Sequence, residues 1–237
     1  MKSNVIGAAL GLWAAGSVAA YAEEQGTPLA TVVELYTSQG CSSCPPADEY
    51  MRVLAKEPGV IALALHVDYW DYIGWADKFG RAEFTERQKA YAHAAGSNTI
   101  YTPQMIVGGV DVVEGTDPAK VEGAIRKHQL ASPVVSMQLI RHDGHVKIVA
   151  HANPPLDAPV RVQLVRYRPG ASVKIDHGEN AGRVINYTNI VTSWVIVGQW
   201  DSRRDLDLTA DVDGDEPAVV ILQAAGPGRI FAAAQIK

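Results

Sequence analysis

The stretch that decides the fold runs from residue 31 to residue 46 and reads TVVELYTSQGCSSCPP. Its first half, Thr31 to Tyr36, is rich in β-branched and aromatic residues and predicts a strand. A short polar loop follows, and two serines then separate Cys41 from Cys44. The two prolines that come next are tolerated in the first turn of a helix. The stretch therefore predicts a strand, a CxxC motif and a helix in direct succession.

Strand and helix patterns alternate from this stretch to about residue 130. We predict helices over residues 47–56, 81–95 and 118–128, and strands over residues 60–67, 105–107 and 110–113. These elements make a small α/β sheet covered by helices.

From about residue 132 the pattern changes to short strands separated by turn signals, with strands over residues 160–168 and 194–200 among them. Such spacing is typical of an antiparallel sandwich. We therefore predict an α/β domain over residues 23–131 and an all-β, sandwich-like domain over residues 132–237.

The first 22 residues are typical of a signal peptide. Lys2 gives a positive start, an uncharged run extends from Val5 to Ala19, and Ala20-Tyr21-Ala22 fits the rule for cleavage sites. We predict cleavage after residue 22, no membrane segment afterwards, and a periplasmic or secreted location. Such a compartment is oxidising.

Composition excludes several classes of protein. The chain has 237 residues and a formal net charge of −5, which argues against a nucleic-acid-binding protein. Its two cysteines are too few for a disulfide-stapled miniprotein or a four-cysteine zinc site. Redox or metal chemistry at the single CxxC motif remains compatible with these counts.

The CxxC motif favours thiol chemistry. The N-terminal end of a helix stabilises a thiolate, and we expect Cys41 to lie there with its sulfur exposed. Cys44 lies one turn later and is more covered, so Cys41 is the expected attacking thiol and Cys44 the resolving one. Two alternatives stay open: the pair forms a structural disulfide, or its thiolates capture a soft metal.

Two sets of motifs carry a resemblance to known families. VVELYTSQGCSSCPP, followed about sixty residues later by YTPQMIVGG, resembles thioredoxin- and glutaredoxin-like proteins. Together with HVDYWDYIGWAD, RQKAY and HGENAGR, these motifs are similar to a bacterial family of secreted proteins of unknown function. The first resemblance implies a thioredoxin-like first domain. It also implies a cis Pro103 beside the CxxC motif, and a Thr102 whose backbone groups bind an extended peptide.

Four further residues are candidates for supporting roles. Glu34 precedes Cys41 by seven residues, and thioredoxin-like proteins often use an acid in this region as proton acceptor for the resolving cysteine. The alternative for Glu34 is a salt-bridged strand acid. His66, Asp68 and Trp70 cluster at the carboxyl end of the second strand, the sheet edge where α/β proteins bind ligands. They line a peptide groove or belong to a packed loop, and His66 alone favours a structural role.

The sequence as a whole favours a secreted or periplasmic thiol–disulfide oxidoreductase without a cofactor or an assigned metal site. Its expected partners are a protein or peptide thiol or disulfide and an unidentified redox partner. The direction of exchange depends on a reduction potential that the residues do not set. The alternatives are a protein that binds copper or another soft metal through the two thiolates, and a non-catalytic binding module.

Overall fold

The strand β1 (Thr31–Thr37) lies inside a large sheet of this computed structural model, which describes residues 29–212 and 214–236. Six of its seven residues are hydrophobic, aromatic or β-branched, and nearly all are buried. It pairs in parallel with the following strand β2 (Val60–His66) and antiparallel with β3 (Gln104–Val107). A strand that is paired on both sides and covered on both faces forms the base on which the CxxC helix rests.

The predicted helices are all present among the described residues. They are α1 (Pro45–Leu54), α2 (Ala82–Ala94) and α3 (Pro118–Gln129). The remaining strands are β4 (Asp111–Glu114), β5 (Val135–His142), β6 (His145–Ala152), β7 (Val160–Lys174), β8 (Val184–Trp200), β9 (Leu206–Asp211), β10 (Ala218–Ala224) and β11 (Ile230–Ile236). Two of them, β7 and β8, extend well beyond their predicted bounds.

The predicted fold class, an α/β thioredoxin-like domain followed by a separate all-β sandwich-like domain, is wrong. The described residues are 43% strand and 18% helix, and eight strands form one mixed sheet in the order β11-β10-β7-β8-β2-β1-β3-β4. The two halves of this sheet meet where β2 and β8 run in parallel, with Ala64 opposite Ile190. The other strands form a three-stranded sheet, β5-β6-β9.

The packing of the core follows the alternation of side chains along the strands. Val33 and Leu35 of β1 pack with α1 and α3, while Val32 and Tyr36 point to the opposite face, which α2 covers. The face under α2 also contains Val219 and its neighbours from the second half of the chain. The three-stranded sheet packs on the far end of the large sheet. One core thus contains residues from both predicted domains.

The predicted signal peptide, residues 1–22, lies outside the described residues. Among residues 29–212 and 214–236, no helix is long and apolar enough to cross a membrane. The domain boundary predicted near residue 131 falls between α3 and β5, and the large sheet continues across it.

A chain that ends at residue 131 tests the shared core. It lacks β8, so β2 becomes an uncovered edge, and it lacks the buried Val165, Val219 and Ile221 that pack in the same cluster as Leu63. We expect this fragment to show no cooperative thermal transition in circular dichroism and to aggregate on size-exclusion chromatography. A soluble monomeric fragment with a sharp transition would contradict the shared core.

Candidate functional site

Cys41 and Cys44 form a disulfide at the N-terminal end of α1. Their Cα atoms lie 5.4 Å apart, and Cys44 is the residue immediately before the helix. Its carbonyl accepts hydrogen bonds from the amides of Ala47 and Asp48 at 2.9 and 3.1 Å. The expectation of an exposed Cys41 sulfur is wrong, because Cys41 is only 1% exposed and Cys44 is fully buried.

The residues between β7 and β8 contact the CxxC segment. We call residues 175–183 the cover loop. Asn180, itself 1% exposed, donates from Nδ2 to the carbonyls of Gln39 and Cys41 at 3.0 and 2.9 Å. Arg183 donates to Asn180 Oδ1 at 2.8 Å and fixes the orientation of the amide. The cover loop is therefore hydrogen-bonded directly to the backbone of the CxxC segment.

A second set of contacts fixes the loop that precedes Cys41. The Trp75 indole donates to the side-chain oxygen Oε1 of Gln39 at 2.8 Å, and the backbone amide of Gln39 donates to Asp77 Oδ2 at 2.7 Å. The same carboxylate oxygen lies 2.7 Å from His66 Nδ1. Burial raises the pKa of Asp77, but His66 and the two backbone amides of Gln39 and Phe79 outweigh this and lower it. Asp77 is therefore ionised at neutral pH.

The segment Thr102–Pro103 lies beside the disulfide, and its peptide bond is cis, as the resemblance implied. Ser43 connects the two parts: its Oγ lies 3.4 Å from Cys41 Sγ and donates to the Thr102 carbonyl at 3.5 Å. The Trp70 indole donates to Thr102 Oγ1 at 2.7 Å. The structure thus brings four of the predicted site residues together: both cysteines, Thr102 and Trp70, with Pro103 adjacent.

Glu34 belongs to a different cluster. It points to the α2 face of the sheet, whereas α1 packs on the other face. Its carboxylate accepts two hydrogen bonds from Arg87 at 2.8 Å, one from Tyr91 at 2.7 Å and one from Tyr36 at 3.0 Å. Of the two roles left open for Glu34, these contacts support the salt-bridged strand acid.

His66 and Asp68 also belong to different groups of contacts. His66 is fully buried and binds Asp77, so it lies beneath the CxxC segment and not on its surface. Asp68 accepts a hydrogen bond from the Thr85 hydroxyl at 2.6 Å near the start of α2. Asp68 therefore positions α2, and its hydrogen bond with Thr85 makes no contact with the disulfide segment.

Three buried polar residues near the disulfide were not candidates from the sequence: Asp48, Asn180 and Tyr187. Asp48 sits in a polar stretch of α1, where an acid is usually exposed, and nothing in that stretch distinguishes it. Asn180 lies within the HGENAGR motif, so the motif marked the right segment without revealing its contact. Tyr187 lies in the part of β8 that was not predicted and packs against His66 and Phe79.

Comparisons with known proteins extend over most of the chain. A model for a family described as "Protein of unknown function (DUF1223)" matches residues 32–223. An X-ray crystal structure of an Agrobacterium tumefaciens protein is 31% identical with a TM-score of 0.74, over 90% of this chain and 95% of that one. HBP35 of Porphyromonas gingivalis is 13% identical with a TM-score of 0.60, over 90% and 76% of the two chains, and so shares the fold. A comparison with curated proteins gave no match.

Replacing Glu34 tests its structural assignment. Glu34→Ala leaves the Arg87 side chain, 13% exposed, without its carboxylate, so we expect the free energy of unfolding to fall by about 3–5 kcal/mol. Glu86→Ala is the matched control, because the exposed Glu86–Lys89 pair contributes at most about 0.5 kcal/mol. Urea unfolding measures both. Equal stabilities of the two variants would contradict the assignment.

Replacing Asn180 tests whether the cover loop limits access to the disulfide. Asn180→Ala removes two hydrogen bonds to the CxxC segment, and a loss of about 1–2 kcal/mol shifts an opening equilibrium about 5- to 30-fold. We expect dithiothreitol to reduce the disulfide faster by about that factor. Asn186→Ala, at an exposed position of β8, is the control. An unchanged reduction rate in Asn180→Ala would rule out this role of the loop.

Proposed function

This chain belongs to the DUF1223 family of proteins of unknown function, and we propose that it carries out thiol–disulfide exchange through Cys41 and Cys44. The observation that carries the proposal is the position of the disulfide: it closes at the first turn of α1, one serine hydroxyl away from the Thr102 carbonyl. A helix N-terminus favours the thiolate form on which exchange depends.

The exchange follows from the order of the two cysteines. In the reduced protein, the Cys41 thiolate attacks one sulfur of a substrate disulfide, and the other sulfur leaves as a thiolate. The mixed disulfide is then attacked by Cys44, which forms the Cys41–Cys44 bond and releases the second substrate thiolate. The protein loses two electrons and the substrate disulfide gains them; the reverse sequence oxidises a substrate dithiol.

The surroundings of the disulfide support a peptide or protein as substrate. Thr102 precedes the buried strand β3, and its carbonyl faces Ser43 and not a neighbouring strand. Trp70 lies against the same threonine and stacks with Tyr72, which is 81% exposed. An apolar, partly exposed surface next to a reactive pair suits an extended chain carrying a thiol. The local resemblance of this segment to thioredoxin-like proteins supports the same chemistry.

Access to the pair requires movement of the cover loop. Both cysteines are buried, and Asn180 binds the Cys41 carbonyl, so we expect a macromolecular substrate to reach the sulfurs only when this contact opens. A protein partner that supplies or removes electrons meets the same requirement. We infer that the closed arrangement protects the disulfide in an oxidising compartment such as the periplasm.

The metal-binding alternative lacks a third ligand. Within the part of the chain that the structure describes, no group of three or more His, Cys, Asp or Glu side chains gathers to hold a metal ion. His66, a buried histidine on the strand next to β1, already uses Nδ1 to bind Asp77. Exchange chemistry needs only the two thiols, and we therefore prefer it.

Single serine substitutions separate the two thiols. Cys41→Ser removes the attacking atom, so we expect the reduced variant to release no thiolate from an aromatic disulfide. Cys44→Ser retains the attack but cannot resolve it, so one thiolate is released and a mixed disulfide stays on Cys41. Mass spectrometry identifies the adduct. Ser42→Ala, at an exposed position between the cysteines, is the control.

Two outcomes would contradict the proposal. An inert wild-type protein whose thiols are fully reduced would remove exchange as its function. An adduct on Cys44 in the Cys41→Ser variant, formed as fast as the wild-type reaction, would reverse the assignment of the attacking thiol.

A further inference from the structure

One side of β8 has no strand beside it over half of its length. On its first side, β8 pairs with β7 from end to end. On its second side, it pairs with β2 at Ile190, opposite Ala64. Among residues 29–212 and 214–236, no strand pairs with that second side beyond this point, and none of the remaining backbone hydrogen bonds reaches it. We call residues 191–200 on this side the free edge, and its unpaired backbone groups are a template for another strand.

The free edge has the sequence of a strand that pairs readily. It reads VTSWVIVGQW, is rich in β-branched and aromatic residues, and contains neither a charged residue nor a proline. Val195 is 47% exposed and Ile196 is 53% exposed, although both lie inside a long strand. Segments with high β propensity, low charge and no proline associate with further strands. The free edge therefore presents unpaired backbone and apolar side chains together.

The strands that end the two sheets are protected against such pairing. β11 is mostly buried, and its Ala233 carbonyl accepts a hydrogen bond from the Ala30 amide. The other end strands carry charged residues, which are Asp111 and Glu114 on β4, Arg141 on β5, and Asp207 and Asp211 on β9. Charges at an edge oppose the approach of a second strand. The free edge of β8 has neither protection, which points to a partner strand at this place.

A second copy of this chain fits the free edge. Two copies of one edge pair antiparallel about a two-fold axis, with the same residues contributed from both sides. With the axis at Val195, this residue lies opposite its own copy, and Trp194 lies opposite Ile196 of the partner subunit. Directly opposite pairs of an aromatic and a β-branched residue stabilise antiparallel strands. The free edge is thus complementary to itself.

The distribution of charge favours the same contact. Each chain has a formal net charge of −5, so two copies repel each other at long range. Like charges brought together across an interface cost further free energy, and the free edge brings none together because it has none. A contact between copies is therefore opposed less at this segment than at the charged end strands.

We propose that two copies of this chain associate through the free edge of β8, about a two-fold axis at Val195, and so join their large sheets into one. Along β8, Val195 lies on the order of 35 Å from Val184, the residue that follows the cover loop. The association therefore leaves the cover loop uncovered. It does not depend on the thiol chemistry proposed above, and either proposal can fail without the other.

Sedimentation equilibrium of the purified full chain, with its disulfide intact, tests the association. We expect the wild type to be a dimer. In Val195→Lys two like charges meet at the axis, so we expect the dissociation constant to rise at least about a hundredfold. Val184→Lys is the matched control, because it makes the same change on the same strand at a position that is 62% exposed and outside the free edge. This control remains a dimer.

A cross-link tests the axis without adding charge. Directly opposite Cα atoms of antiparallel strands lie about 4.5–5.5 Å apart, which is within the range of a disulfide. In Val195→Cys, two introduced thiols, one from each copy, give two protons and two electrons to diamide and form one bond between the chains. We expect a covalent dimer on a non-reducing gel. Val184→Cys under the same conditions remains a single chain on the gel.

Four results overturn the proposal. A wild type that is monomeric at its highest soluble concentration does not associate, and binding of a synthetic valine–threonine peptide by such a monomer would assign the edge to a foreign strand. A dimer that persists unchanged in Val195→Lys uses another surface. If Val195→Lys does not fold by circular dichroism, Val195→Cys decides: a cross-link supports the two-fold edge, and its absence overturns it.

Discussion

The buried carboxylate of Asp77 holds the loop before the CxxC motif in place. One of its oxygens accepts the Gln39 amide and lies 2.7 Å from His66 Nδ1, while the other accepts the Phe79 amide at 2.8 Å. Because Asp77 is ionised, each of these bonds is charge-assisted and stronger than a neutral one. With its backbone held in this way, Gln39 accepts a hydrogen bond from the Trp75 indole at its side-chain oxygen and one from the Asn180 amide at its backbone carbonyl. The position of Cys41, the contact of the cover loop and the orientation of His66 all depend on this one group.

The two halves of the chain combine at this point to make a covered site. The first half supplies the cysteines and α1, and the second supplies Asn180 from the cover loop and Tyr187 from β8. The hairpin of β7 and β8 reaches the site only because it continues past the last pairing of β7 with β10, at Arg166. The sheet shared by both halves thus brings residues of the second half to the buried cysteine pair.

Local patterns in the sequence predict the three helices and the strand before the CxxC motif, and the cis Pro103 is implied by the resemblance to thioredoxin-like proteins. They failed on β7 and β8, which were predicted to end at residue 168 and to begin at residue 194. Pro169 and Gly170 signal a break, yet beyond Arg166 this strand pairs only with β8, and a proline is tolerated at such an edge. The parallel pairing of β8 with β2 has no local signal at all. Asp48 and Asn180 are buried through contacts with Thr37 and with the CxxC backbone, so the sequence located the cysteine pair but not the residues that surround it.

Under the proposed function, Cys41 and Cys44 exchange electrons with other thiols and do not merely close a structural ring. The most direct measurement is the equilibrium redox state of the pair in buffers of reduced and oxidised glutathione, trapped by alkylation and read by mass. We expect reversible half-oxidation at a potential between about −300 and −120 mV, where exchange proteins lie. A pair that stays oxidised at every ratio, with a potential below about −300 mV, would be a structural disulfide and would contradict it.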